Sequence, residues 1–169
     1  MCGIAGIISL SGKPIENGDA RVNKMLQEMG HRGPDGSGLY KDNNNTIFLG
    51  NNRLAITDPS FKLNGPLISD CNDYILSYNG EIYDFKEHFY RLANKKILFH
   101  SKTDTEVLLK GLIYEGVDFL EKIDGCWAFA LYNKNSKKII LSRDLLGEKH
   151  IFYYKDNNEF IFASEASAV

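Results

Sequence analysis

A layered α+β fold is predicted by three features of the sequence. Strand-like apolar runs lie at both ends of the chain, helix-like spacing fills the middle, and Cys126 to Tyr132 is apolar at nearly every position. A strand that is apolar on both sides of its pleat needs cover on both faces. Covered sheets stack in layers with helices outside them. The pattern alone leaves the order of those layers open. At 169 residues the chain fits a single domain, large enough to bury a core without disulfide staples.

The first strand is read at residues 2–9, starting almost at the terminus. Termini fray unless they are tied down, so a terminus opening directly into core strand implies that Cys2 is held. Removal of Met1 would leave a thiol and a free amine on one residue. A free Cys thiol has a pKa of about 8.5, and an α-amine about 7.7–8.0. One residue then supplies both nucleophile and base. The plain alternative is a start methionine followed by a small buried residue.

Ser11 to Pro14 is a turn. Val22, Met25, Leu26 and Met29 recur at helical spacing, with Asp19 to cap the start and Gly30 to stop the helix. His31 to Gly38 is a Gly-rich loop carrying His31, Arg32 and Asp35, either functional or plain surface. Thr46 to Ile56 reads as strand, turn and strand. Arg53 falls in that apolar setting and calls for an anionic partner, a structural carboxylate or a ligand. Residues 57–73 read as loop. Tyr74 to Tyr78 is a strand ending at Asn79-Gly80-Glu81. Gly80 lets the backbone turn sharply and approach a ligand closely. An ordinary Asn-Gly hairpin fits the same residues.

Asp84 to Glu87 fits a capping box before a helix with Phe85, Phe89 and Leu92 on one face. Thr103 to Glu106 fits a second, before Val107, Leu108, Gly111 and Leu112. Asp104 then lies at the first helical position, where the helix dipole favours its charge. It either binds a ligand ammonium or only stabilises the helix. Val117 to Ile123 is a short helix. Cys126 to Tyr132 pairs with Lys138 to Ser142 around the turn at Asn133 to Ser136. Ile151 to Tyr154 and Phe160 to Ala163 form a last hairpin.

Composition excludes several classes. A net charge of −2 gives no case for nucleic acid or an anionic membrane. No apolar stretch reaches the ~18 residues of a membrane span. No basic segment precedes the first apolar run, so no signal peptide is read and a cytoplasmic location is expected. Three scattered cysteines without Cys-x-x-Cys argue against a disulfide framework or a redox module. Cys71 and Cys126 are expected to be small buried residues.

Met1-Cys2-Gly3-Ile4, His31 to Asp35, Asn52-Arg53-Leu54, Asn79 to Tyr83 and Lys102 to Glu106 together resemble the class II glutamine amidotransferases. Gly125 to Tyr132, Ser142 to Gly147 and Phe162 to Glu165 extend the likeness over almost the whole chain. It is most similar to the N-terminal glutaminase domain of glutamine-hydrolysing asparagine synthetases. The resemblance implies a four-layer α-β-β-α sandwich of the N-terminal-nucleophile hydrolases, with two mainly antiparallel sheets between helices. It implies hydrolysis of glutamine to glutamate and ammonia through a Cys2 thioester. The Asn79 side-chain amide and the Gly80 N–H would form the oxyanion hole. Arg53 would hold the substrate α-carboxylate and Asp104 its α-ammonium. Leu54, Ala55, Ile56, Thr57 and Glu81 would complete the glutamine contacts. The 31–35 loop would support the site without moving a proton.

The resemblance also implies that residues 1–169 are the glutaminase domain, with no cofactor or metal of its own. A C-terminal synthetase domain using ATP and Mg would be its partner, and the full-length protein would be a candidate homodimer. The ammonia would serve amide synthesis, asparagine from aspartate being the leading case. The sequence departs from the family where the usual glutamine before Pro66 is absent. It departs again at Lys149 to Tyr153, where Lys-Pro-Leu-Tyr-Tyr is usual, and at Cys126-Trp127, where Met-Phe is usual. These differences leave an acceptor other than aspartate open. A non-catalytic scaffold of the same fold is a further alternative, against which the intact Cys2, Arg53, Asn79, Gly80 and Asp104 argue.

Overall fold

The computed structural model describes residues 1–54 and 65–169. The strands are β1 (Gly3–Ser9), β2 (Gly36–Lys41), β3 (Ile47–Arg53), β4 (Leu67–Ile68), β5 (Tyr74–Ile82), β6 (Gly125–Asn133), β7 (Lys138–Arg143), β8 (Phe152–Lys155) and β9 (Glu159–Ala163). The α-helices are α1 (Gly18–Glu28), α2 (Phe85–Asn94) and α3 (Asp104–Glu115). Two antiparallel sheets form, one in the order β2-β3-β1-β9-β8 and the other β4-β5-β6-β7.

Side-chain alternation sets the layers. Ala5 and Ile7 of β1 join Val22, Met25 and Leu26 of α1 in one core. Ile4 and Ile8, on the opposite face, meet Ala128, Ala130 and Tyr132 of β6 between the sheets. Trp127, Phe129 and Leu131, on the other face of β6, pack with Leu92 of α2 and Val107, Leu108 and Leu112 of α3. The stack is therefore helix, sheet, sheet, helix, the α-β-β-α sandwich that the family resemblance implies, with the layer order that the pattern alone left open. Phe48, Phe129 and Phe162 are fully buried, each worth about 1.5–3 kcal/mol of apolar transfer.

Asn51 ties the two sheets together. From β3 its Nδ2 donates to the Gly3 carbonyl at 3.2 Å, while its Oδ1 accepts from the Tyr78 N–H of β5 at 2.8 Å. Next to it, Asn52 donates to the Leu26 and Met29 carbonyls and so closes the C-terminal end of α1. These two satisfied, buried amides explain a difference from the sequence reading. The expected turn after Leu49 does not occur, and β3 runs unbroken through Gly50-Asn51-Asn52 to Arg53.

Other differences have similar causes. The last three residues of the expected 31–38 loop begin β2 instead, because Gly36–Lys41 pair along β3. The β5 strand continues through Asn79, Gly80 and Glu81 instead of turning there, because β6 pairs with it as far as Ile82. Leu67–Ile68 form a short strand within the expected loop; residues 57–64 of that loop and Ile56 lie outside the described residues. Asn17, not Asp19, precedes α1, in a left-handed conformation; Asp19 pairs with Lys41. Asp84 caps nothing with its side chain; it bonds His88 and the Asp124 N–H instead. Thr103 does cap α3, accepting from the Glu106 N–H, but the Glu106 carboxylate turns to the His100 and Ser101 N–H groups. The short helix expected at Val117 to Ile123 is a 3₁₀ helix, Gly116–Glu121. Cys71 is exposed in the β4–β5 turn, whereas Cys126 is buried as expected. Among the described residues, no helix is long and apolar enough to cross a membrane.

Candidate active site

The N-terminal end of β1 delivers Cys2 to a cavity of about 150 Å³ between the sheets and the start of α3. Arg53 and Leu54, at the end of β3, line it from one side. Asn79, Gly80 and Glu81 of β5 line it from another, and Asp104 at the start of α3 completes it. The structure thus gathers seven of the ten predicted site residues. Ala55, Ile56 and Thr57 lie outside the described residues.

Cys2 is half-buried and its backbone is anchored. Arg32 Nε donates to the Cys2 carbonyl at 2.9 Å, and Arg32 also pairs with Glu165 at 2.9 Å. The Leu54 N–H lies 3.4 Å from the Cys2 sulfur. One step along β1, the Ile4 N–H donates to Ser164 Oγ at 3.0 Å. The Arg32 hydrogen bond, with help from His31, outweighs desolvation and holds the Glu165 carboxyl below its usual range. The 31–35 loop also fixes Arg53. A Cβ on Gly33 would lie 2.6 Å from the Arg53 nitrogen, and the Asp35 N–H donates to the Arg53 carbonyl at 3.0 Å. The loop therefore supports both Cys2 and Arg53 through their backbones.

Two donors on β5 face the cavity. Asn79 is 1% exposed, yet its Nδ2 has no hydrogen-bond partner among the described residues. A buried amide donor left unpaired costs about 1–3 kcal/mol, so a native protein that keeps one needs a reason. Gly80 supplies the second donor. The Tyr78 and Ile82 N–H groups leave the strand away from β6, to Asn51 and Asp104 respectively. Strand alternation sends the Gly80 N–H off that same edge. Glycine is required there by close approach: a Cβ would sit 2.5 Å from the Cys126 carbonyl oxygen.

Asp104 is 4% exposed and sits at the positive end of α3. Its carboxylate accepts from Tyr78 Oη at 3.0 Å, from the Ile82 N–H at 3.3 Å and from the Thr105 N–H at 2.9 Å. Burial, followed by the neighbouring Asp104 charge, pushes the Tyr78 phenol well above its usual value. Tyr78 is thus a permanent donor that orients Asp104.

Sequence reasoning missed Asn51, Tyr78 and Lys149, which also line the cavity. Tyr78 looks like any core strand residue, and its role appears only when β5 and α3 meet. The polar pair Asn51-Asn52 inside an apolar run was the available signal for the first.

No His/Cys/Asp/Glu group suited to a metal is found among the described residues. The cavity presents the Cys2 thiol, two donors on β5, the Arg53 guanidinium and the buried Asp104 carboxylate. That set suits attack on an amide carbonyl of a zwitterionic amino acid.

A family profile for the glutamine amidotransferase domain matches residues 1–169. The putative asparagine synthetase [glutamine-hydrolyzing] 2 of Methanocaldococcus jannaschii is 39% identical, over all of this chain and 35% of its own length. The amidase chry2 of Gibberella zeae is 31% identical, over 98% of this chain and 26% of its own. The chain spans about a quarter to a third of the length of these relatives. The glutamine phosphoribosylpyrophosphate amidotransferase of Bacillus subtilis superposes with a TM-score of 0.80 at 19% identity, over 99% of this chain and 42% of that one, a likeness of fold. With the profile covering every residue, the chain belongs to the glutamine amidotransferase family of enzymes.

Proposed function

We propose that the chain hydrolyses the side-chain amide of glutamine through a thioester on Cys2, once Met1 is removed. The Cys2 sulfur attacks the amide carbon as its proton passes to the Cys2 α-amine, directly or through water. The amide oxygen becomes an oxyanion between Asn79 Nδ2 and the Gly80 N–H. The protonated amine then gives its proton to the leaving nitrogen, and ammonia departs. Water, deprotonated by the same amine, attacks the γ-glutamyl thioester and releases glutamate, which returns the thiol. Arg53 matches the α-carboxylate of the substrate with its planar fork. Asp104, oriented by Tyr78, takes the α-ammonium.

The observation that carries this reading is the buried Asn79 Nδ2, without a hydrogen-bond partner among the described residues, on a residue that lines the cavity with Cys2. A donor kept unsatisfied in the resting protein suits an oxygen whose charge develops only during reaction. A scaffold without chemistry gives no reason to keep it.

Residues 1–169 act in this reading as the glutaminase domain of a longer protein. Its synthetase domain would use ATP and Mg to activate an acceptor carboxyl, with aspartate the leading acceptor. The name of the Methanocaldococcus jannaschii relative favours aspartate. That of the Gibberella zeae relative keeps a different acceptor in view. The test is ammonia release from glutamine by the mature chain, by Cys2→Ala and by a form that retains Met1. Activity is expected only in the first. Turnover at the mature rate in either of the others would overturn the mechanism.

A further inference from the structure

The loop after β7 brings a cation to the mouth of the Cys2 cavity. Asp144 is buried, and its carboxylate accepts from the Trp127 N–H at 3.3 Å, the Glu148 N–H at 2.9 Å and the Lys149 N–H at 3.0 Å. Burial alone would raise this carboxyl. The amides of Lys149, Glu148, Trp127 and Gly147 outweigh it and hold the group below its usual range. An ionised acceptor therefore fixes the backbone of Lys149. Its side chain lines the cavity with Cys2, and Nζ lies 3.7 Å from Met1 Sδ. A thioether cannot neutralise an ammonium. No ion pair among the described residues involves Lys149.

We propose that Lys149 is a positioning residue for the Cys2 amine, its ammonium lowering the proton affinity of the free α-amine once Met1 has gone. This rests on the reading of Cys2 as an N-terminal nucleophile. In the Met1 form the methionine side chain stands against the ammonium, and its removal leaves the ammonium at the cavity mouth that Cys2 lines. A like charge nearby disfavours a second cation. The amine must be neutral to accept the thiol proton, so the effect raises the reactive fraction at neutral pH.

Other charged groups lie around the cavity. Arg32 reaches the Cys2 carbonyl but is paired with Glu165, which His31 also contacts. Asp104 is engaged by the Tyr78 hydroxyl and by the Ile82 and Thr105 N–H groups. Arg53 lines the same cavity, and before substrate binds its guanidinium acts on the amine in the same sense, so Lys149→Gln reads the Lys149 share alone. Glu81 lines the cavity from β5 but is exposed to water, and Glu148 and His150, which flank Lys149, are exposed as well.

The test uses mature protein, its lack of Met1 confirmed by intact mass, as wild type, Lys149→Gln and Lys149→Arg. The α-amine of ¹⁵N-cysteine-labelled protein is titrated by NMR, and kcat/KM for glutamine is followed against pH. Lys149→Gln is expected to raise the amine midpoint by about half a unit or more. The acid limb of kcat/KM should move with it, and the rates should converge at alkaline pH. Lys149→Arg should keep the wild-type midpoint. Salt at about 1 M should narrow the gap, since screening acts on charge and not on packing. An unmoved amine midpoint in Lys149→Gln, or an equal loss of kcat/KM at every pH, overturns the proposal. If the mature wild type releases no ammonia, the functional reading fails, while the amine titration still decides the role of Lys149.

Discussion

Arg32 donates its Nε to the carbonyl oxygen of Cys2 at 2.9 Å, with the same guanidinium held by Glu165. The candidate nucleophile is thus fixed through its backbone by a residue that lies outside the cavity lining. Replacing Arg32 by Ala removes both bonds and leaves Glu165 with His31 as its remaining side-chain partner. The expected cost is about 1–3 kcal/mol at neutral pH, with a fall in kcat larger than any change in KM. The sign of the pH dependence follows from Glu165. Its folded-state pKa is depressed, so its stabilisation is present above the ordinary carboxylate range and is lost as pH falls through the depressed value. Urea midpoints of wild type and Arg32→Ala should therefore converge in acid. Parallel curves down to low pH would contradict the assignment.

Asn79→Ala should lower kcat by about 10²–10³, the usual cost of one oxyanion donor. Its stability should stay close to wild type, because the lost Nδ2 has no partner among the described residues in the resting protein. Arg53→Lys should act differently and mainly raise KM, since an ammonium cannot reproduce two parallel bonds to a carboxylate. Steady-state kinetics on glutamine separate the two; a kinetically silent Asn79→Ala would remove it from the oxyanion hole.

Asp104→Asn distinguishes substrate binding from a purely structural role at the start of α3. Asp104 touches Tyr78, Ile82 and Thr105, so some loss of stability is expected in either case. If it also takes the α-ammonium, glutamine should lose more affinity than an analogue lacking the α-amine. Equal losses for both ligands, measured by calorimetry on Cys2→Ala protein, would leave Asp104 with a structural role alone at the start of α3.

Glu115 joins the helical layer. It receives Arg91 at 2.6 Å, Lys95 at 2.9 Å and Lys122 at 2.9 Å, and is only 9% exposed at its side chain. The Arg91 bond, followed by that of Lys95, holds its carboxyl far below the usual range against the opposing effect of burial. Glu115→Gln should destabilise the protein by about 1–3 kcal/mol at neutral pH. The depressed pKa means that this contribution is full above the ordinary glutamate value and disappears as pH falls through the folded one. Urea unfolding at pH 7 and in acid checks this; a gap that widens in acid would contradict the sign.

The layers were legible because apolar alternation and helical spacing are local. Ala5 and Ile7 against Ile4 and Ile8, or Trp127 against Ala128, already announce two buried faces in the sequence. Strand limits were not legible where polar residues are satisfied across the fold. Asn51-Asn52 reads as a turn until Tyr78 and the end of α1 are seen to absorb both amides. Asn79-Gly80 reads as a hairpin for the same reason, because only the pairing with β6 keeps it extended. Cys2, Arg53 and Asp104 were legible as chemistry, yet their convergence is a product of three separate elements. Lys149 carried no signal, since a lysine in a turn is ordinary until its loop is folded over the cavity.

The last prediction concerns the surface beside that loop. Leu145 and Leu146 are 96% and 83% exposed, and Phe152, Tyr153 and Tyr154 of the edge strand β8 are exposed nearby in sequence. Large apolar side chains left exposed along one short stretch of chain point to an interaction site. The relatives extend well beyond the length matched here, and the proposed occupant is the synthetase domain proposed above for the longer protein. Leu145→Asp with Leu146→Asp should cost this chain little stability, because neither side chain is buried. The 169-residue chain is expected to release ammonia from glutamine without ATP, and to form no asparagine when aspartate, ATP and Mg are supplied. In the longer protein the double substitution should leave glutamine hydrolysis and synthesis from added ammonia intact, while synthesis from glutamine falls. Product assays with each nitrogen source measure all three. Unchanged synthesis from glutamine would show that Leu145 and Leu146 do not meet the synthetase, and asparagine made by the 169-residue chain alone would overturn the division of labour.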